Sequence, residues 1–104
     1  MNNNEFITYQ TACFEKMQAL FKSKNHDYTA SQTDTFANFK IIEQYGINPE
    51  VGFLTRMSDK MSRVASFVSS GVLLVDNEKV EDTLLDLANY AILMAGYIKS
   101  KREG

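Results

Sequence analysis

The stretch from Val80 to Ile98 constrains this chain more than any other. Val80, Leu84, Leu87, Ala91, Ala95 and Ile98 recur at the period of an α-helix, and Leu85, Ala88, Ile92 and Met94 carry the apolar surface almost all the way round it. Such a helix is stable only where other helices, or other copies of the chain, enclose it. Asp82, Asp86 and Asn89 are nevertheless set into it at steps of four and three, so they share one side. Desolvating a lone carboxylate costs on the order of several kcal/mol, so Asp86 needs a cation beside it or a wet cleft in front of it.

The rest of the 104-residue chain reads as helices that supply this enclosure. Phe6, Cys13, Phe14, Met17, Leu20 and Phe21 make an amphipathic helix over 5–22, with one of Asn2, Asn3 or Asn4 available to cap it. Residues 23–33, SKNHDYTASQT, lose the periodicity and predict a long loop. A short second helix is expected over 34–45, with Phe36, Phe39 and Ile42 on one side and Gly46 as its stop. Asn48-Pro49-Glu50 starts a third helix over 49–69, ended by Ser69-Ser70-Gly71. Val72 to Val75 is an extended connector, because four apolar residues without a partner strand make no sheet. Asp76 or Asn77 then opens the fourth helix, 77–101, whose acidic start and basic end suit the helix dipole. The expected class is all-α: one four-helix-bundle-like domain spanning 1–104, with a long loop after the first helix. A chain of this size gains stability by association, so a homo-oligomer is expected.

Composition removes several functions. Eleven Lys+Arg against thirteen Asp+Glu, with no long basic run, argue against an extended nucleic-acid face. The longest uncharged apolar run, Leu87 to Ile98, is twelve residues against the roughly 20 needed to span a bilayer, so no membrane role is expected. Cys13 is the single cysteine, which excludes a disulfide framework or zinc cluster within one chain and points to a reducing cytoplasm.

What remains is a small-molecule site built from charge. Two carboxylates one helical turn apart, Asp82 and Asp86, can both point at a divalent cation, with water and phosphate oxygens completing a Mg²⁺ octahedron. The alternative is a structural ion pair between Asp86 and a basic residue of the third helix. That helix carries Arg56, Lys60 and Arg63 at steps of four and three, with Asp59 four before Arg63 and able to pair with it. If the third and fourth helices lie side by side, the basic stripe faces Asp82 and Asp86 across a groove suited to a phosphorylated ligand and its metal. The alternative for the stripe is a solvated face with surface ion pairs. In the loop, Tyr28 is placed to stack on a base and Lys24 or His26 to meet a phosphate, against a plain turn closed by Asn25 and Asp27. Asn38 lies off the face of Phe36 and Phe39, where its amide is available to a base edge.

Asp27-Tyr28, Phe36-x-Asn38-Phe39, Asp59-Lys60-x-x-Arg63 and the run from Glu81 through Asp82, Asp86 and Asn89-Tyr90 to Ala91 together resemble the small phage-associated family called nucleotide modification associated domain 1. More remotely, they look like the all-α MazG-like nucleotide pyrophosphatases. The resemblance covers about Lys24 to Ile98. It implies an oligomeric all-α fold and a nucleotide or nucleotide-like ligand, with Asp27, Tyr28, Asn89 and Tyr90 among the ligand-binding residues. MazG-like enzymes hold Mg²⁺ through an EExxE and a later ExxD pattern while water cleaves a nucleoside triphosphate to monophosphate and pyrophosphate. Asp86 matches the final Asp, and Asp82 sits where a flanking acid often precedes the Glu. That Glu falls on Thr83, and Asp59-Lys60-Met61-Ser62-Arg63 replaces EExxE, so two or three carboxylates stand where the hydrolases use four.

Three functions follow. In the first, a Mg²⁺-dependent pyrophosphohydrolase, Asp86, Asp82 and Asp59 hold the ion and orient water, Lys60 and Arg63 neutralise phosphate charge, and Tyr28 with Asn38 holds the base. The second is a protein that binds or sequesters a nucleotide without turnover, including a cyclic signalling nucleotide of host defence. The third is a structural helical oligomer, favoured where an ion pair consumes Asp86.

Overall fold

The computed structural model describes residues 1–29, 34–71 and 79–104. They form four α-helices, α1 (Asn3–Thr29), α2 (Ala37–Lys40), α3 (Pro49–Ser70) and α4 (Val80–Glu103), with a 3₁₀ helix over Ile41–Tyr45 directly after α2. The expected all-α class holds, and no strand occurs among the described residues. Met1–Thr35 and Phe36–Gly104 are separate compact units.

In the first unit, Asn2 is the cap, its Oδ1 accepting the Glu5 N–H at 2.8 Å. The helix then continues seven residues past its expected end at Lys22, through most of the segment that the loss of periodicity marks as loop. The reason is chemical: Ser23 to Thr29 contains neither Gly nor Pro, and extending a formed helix needs no new nucleus. Polarity alone does not stop a helix. Residues 30–33 of the expected loop, the connector Val72 to Val75, and Asp76 and Asn77 lie outside the described residues.

The second unit is built around Phe53. This side chain is fully enclosed, and the Phe39 ring stacks on it with centroids 3.9 Å apart and planes within 13°. Tyr97 of α4 lies 5.8 Å from Phe53, Phe36 meets Tyr97 edge-on at 5.6 Å, and Tyr90 meets Phe39 edge-on at 6.3 Å. Five aromatic rings thus join α2, α3 and α4, which makes Phe36 and Phe39 the core anchors that their spacing predicts. Two glycines allow the close approach. A Cβ at Gly52 would stand 3.3 Å from Ile42 Cδ1, and one at Gly96 would stand 3.4 Å from Phe36 Cζ.

These contacts also shorten the second helix. It begins at Ala37 rather than Asp34, with the Phe36 carbonyl accepting the N–H groups of Phe39 and Lys40, and tightens into 3₁₀ geometry at Ile41. Gly46 ends it and Gly71 ends α3, both in the left-handed conformation. Pro49 occupies the first turn of α3 as expected, although the Asn48 side chain makes no capping bond. α4 begins at Val80, with Lys79 at its cap.

α3 and α4 run antiparallel, since Glu50 meets Lys101, Phe53 meets Tyr97 and Lys60 meets Asp86. At the end where α3 starts and α4 finishes, Lys101 Nζ donates to Glu50 Oε2 at 3.0 Å and lies 5.6 Å from the centre of the Tyr97 ring. That hydrogen bond holds the Glu50 carboxyl below its ordinary pKa and the Lys101 ammonium above its own.

Two predictions follow from this packing. Phe53→Ala removes the ring on which Phe39 and Tyr97 rest and should cost about 3–5 kcal/mol in urea unfolding; a loss under about 1 kcal/mol would show that the cluster does not hold the unit together. The pH dependence has two limbs. A lowered carboxyl pKa stabilises the fold above the ordinary value of 4.5, and the benefit is lost as pH falls through the lowered value. A raised ammonium pKa stabilises it below 10.5, and the benefit is lost as pH rises through the raised value. The melting temperature of Glu50→Gln should therefore lie below that of the wild type between these limits and converge with it at both extremes. A gap constant across pH would contradict this origin.

Candidate functional site

A second meeting of charge between α3 and α4 lies farther toward the α3 carboxyl end than the Glu50–Lys101 pair. Lys60 Nζ lies 3.4 Å from Asp86 Oδ2, and the two side chains are only 16% and 30% exposed. One turn along α3, Arg63 reaches Asp59 Oδ2 at 3.4 Å in the four-residue pairing that the spacing predicts. Asp82 lies one turn before Asp86 and Asn89 one turn after it by residue number, both partly buried. Arg56 is exposed, one turn before Lys60.

This arrangement answers what Asp86 does with its charge. The apolar helix needs a cation there, and Lys60 supplies it across the helix boundary. The flexible four-carbon stem lets the ammonium cross while its methylenes stay covered. Among Arg56, Lys60 and Arg63, the backbone register selects Lys60, which sits on the side of α3 that carries the buried Phe53.

Thr83 is fully enclosed. A carboxylate at that position, where the ExxD pattern would put its Glu, would be stripped of water, so a neutral side chain suits the place. Tyr90 turns its ring edge toward Phe39 and belongs to the aromatic cluster. Asn38 is exposed on α2. Lys24 is exposed on α1, in the other unit, whereas the side chains of His26, Asp27 and Tyr28 lie outside the described residues. The structure therefore brings together Lys60 with Asp86 and Arg63 with Asp59. The Glu50–Lys101 pair was not anticipated from sequence, and its one signal is the matched lengths of two antiparallel helices that set the start of α3 beside the end of α4.

The two pairs, Lys60 with Asp86 and Arg63 with Asp59, are each formally neutral. Among the described residues no group of three or more His, Cys, Asp or Glu comes close enough to hold a metal ion. Asp82 and Asp86 form a two-carboxylate set, the number with which Mg²⁺ is commonly bound when substrate phosphates supply its other ligands. Such a pair would hold an ion only together with the phosphates of a ligand.

The family model for nucleotide modification associated domain 1 matches residues 24–96, which contain α2, α3, the Lys60–Asp86 pair and most of α4. Comparison with curated proteins and with solved structures returns no match. No described helix is long and apolar enough to cross a membrane.

The ion pair makes a prediction of its own. A fully buried pair costs about 3–5 kcal/mol to break and an exposed one about 0–1 kcal/mol, so a pair exposed to this degree should cost about 1–3 kcal/mol. Lys60→Met and Asp86→Leu should each destabilise the chain by that amount. The double variant should recover most of the loss, giving a coupling energy near 1 kcal/mol or more in a double-mutant cycle. Strictly additive losses would mean that the two residues act independently.

Proposed function

The chain belongs to the nucleotide modification associated domain 1 family, and from that premise we propose that its α3–α4 charged cluster binds the phosphate groups of a nucleotide. The observation that carries this reading is the tethering of Lys60 and Arg63 by Asp86 and Asp59, which positions the two cations before any ligand arrives. A phosphate oxygen has the charge and acceptor geometry to replace a carboxylate on Arg63, and the guanidinium suits two parallel hydrogen bonds. Arg56 extends the basic row by one further turn. Lys60 is the most enclosed of the three, so it contributes a fixed positive charge behind the ligand.

A second reading, Mg²⁺-dependent hydrolysis of a nucleoside triphosphate to monophosphate and pyrophosphate, draws support from the neutrality of the two pairs. A polyphosphate reaching them adds negative charge, which a divalent ion would offset. Asp82 and Asp86, one turn apart, would hold that ion together with the phosphates, and bound Mg²⁺ would supply Lewis acidity at the phosphorus. Asp86 must then share its carboxylate between Lys60 and the ion, and Asp59 would be the acid left to orient water. Asn38 is the candidate for the base edge in either reading, and Asn89 for the sugar or phosphate edge.

The test is to incubate the protein with ribo-, deoxyribo- and cyclic nucleotides, with Mg²⁺ and with chelator, and to chromatograph both the solution and heat-released ligand. Intact nucleotide recovered from the protein supports binding, whereas monophosphate and pyrophosphate formed only with Mg²⁺ establish hydrolysis. Arg56→Gln and Arg63→Gln should each weaken the captured nucleotide about tenfold or more, the loss of one charge-assisted contact. A panel untouched by the wild type would sink both readings and leave Lys60–Asp86 a structural pair.

A further inference from the structure

Lys60 Nζ stands 3.4 Å from Asp86 Oδ2. A Mg²⁺ ion takes its oxygen ligands at about 2.1 Å, so one bound to that oxygen would lie within about 5.5 Å of the ammonium. Two positive centres at that separation, one of them divalent, repel strongly wherever water is partly excluded. It is partly excluded here, because the two side chains are only 16% and 30% exposed.

The surroundings do little to offset that repulsion. Asp86 has four neighbours one turn away on α4, namely Asp82, Thr83, Asn89 and Tyr90, and of these only Asp82 is a carboxylate. Thr83, fully enclosed, adds no charge. On α3 the positions four before and three after Lys60 are Arg56 and Arg63, two further cations. Asp59 already has Arg63 at 3.4 Å, and a guanidinium does not shed its proton to make way for an ion. Asp86 and Asp59 are thus each neutralised by a cation of the chain itself.

We propose that the Lys60 ammonium occupies the place that a divalent ion would take at Asp86, so that the free protein keeps the ion out and meets a phosphate with its own cations. The side chain is suited to this. Most of it is covered, so the ammonium has less room to swing aside than one on an open surface, and its departure would strand a half-buried carboxylate. An ammonium also brings three hydrogen-bond donors, any of which is able to turn from Asp86 to a phosphate oxygen without dissolving the pair. The ligand that fits such a site carries its phosphate free of metal. This last step rests on the reading of the cluster as a phosphate site and favours binding over Mg²⁺-dependent turnover, whereas the exclusion of the ion stands on the ion pair alone.

Titration of the full chain with Mn²⁺, without nucleotide and followed by electron paramagnetic resonance, tests the exclusion. Lys60→Gln, which keeps a donor toward Asp86 and removes the charge, and Lys60→Met should each tighten Mn²⁺ binding at least about tenfold over the wild type. Asp86→Asn in the Lys60→Gln background should abolish that gain. Should the variants unfold, the wild type still answers: at millimolar Mn²⁺ the amide signals around Asp86 should broaden no more than those around the exposed Glu15 of α1. Equal affinity in wild type and variants would overturn the proposal, as would a gain that persists without Asp86 or selective broadening at Asp86 in the wild type. Nucleotide captured by the wild type should be equal in amount with Mg²⁺ and with chelator, and capture that requires Mg²⁺ would likewise overturn it. A panel from which nothing is captured speaks against the phosphate reading, while the nucleotide-free titrations decide the role of Lys60 independently.

Discussion

The stacking of Phe39 on Phe53 is the contact on which the second unit depends. α2 is a single turn, too short to hold its own conformation in water, and it persists because Phe36 and Phe39 lock it against α3 and α4. Phe53 in turn fixes the register of the hairpin by meeting Tyr97. Once that register is set, Lys60 has to fall beside Asp86 and Glu50 beside Lys101, because both partners of each pair are at fixed offsets from the aromatic contact. The charged cluster is therefore a consequence of aromatic packing one to two turns away from it.

Dividing the hairpin into a polar and an apolar side separates two tasks. One side is lined by α2 and by paired ions, part of each pair already touching water. The other presents Val51, Leu54, Met61 and Val68 of α3, all exposed and uncharged, a surface that gains from being covered. A substitution on one side reaches the other only by moving the helices themselves.

Local chemistry was legible in the sequence wherever it involved neighbours a turn or two apart. Pro49 and Gly71 bracket α3 because rules for helix ends act within a few residues, and Asp59 with Arg63 follows from four-residue spacing. Phe36 and Phe39 could be placed in the core for the same reason. The end of α1 was not legible, since Ser23 to Thr29 lacks the apolar period that tertiary packing demands yet contains nothing that breaks a helix. The start of α2 was missed because ring contacts, not a cap, decide it. That a basic residue of α3 meets Asp86 was among the readings the sequence allowed, but choosing Lys60 over Arg56 or Arg63 requires the relative register of two helices. The same register hides Glu50–Lys101 from any inspection of spacing.

The ion pair between Glu50 and Lys101 joins residues 51 positions apart, at the end of the hairpin where the two helices have no covalent connection. The opposite end is joined by the short stretch between Gly71 and Val80, so helix contacts there close a small loop and those near Glu50 close a large one. Assembly that zips outward from the connection would reach Glu50–Lys101 last, and thermal opening would begin there. The pair then acts as a latch on fraying, and amide exchange along α4 should quicken toward Lys101 whenever that latch is released.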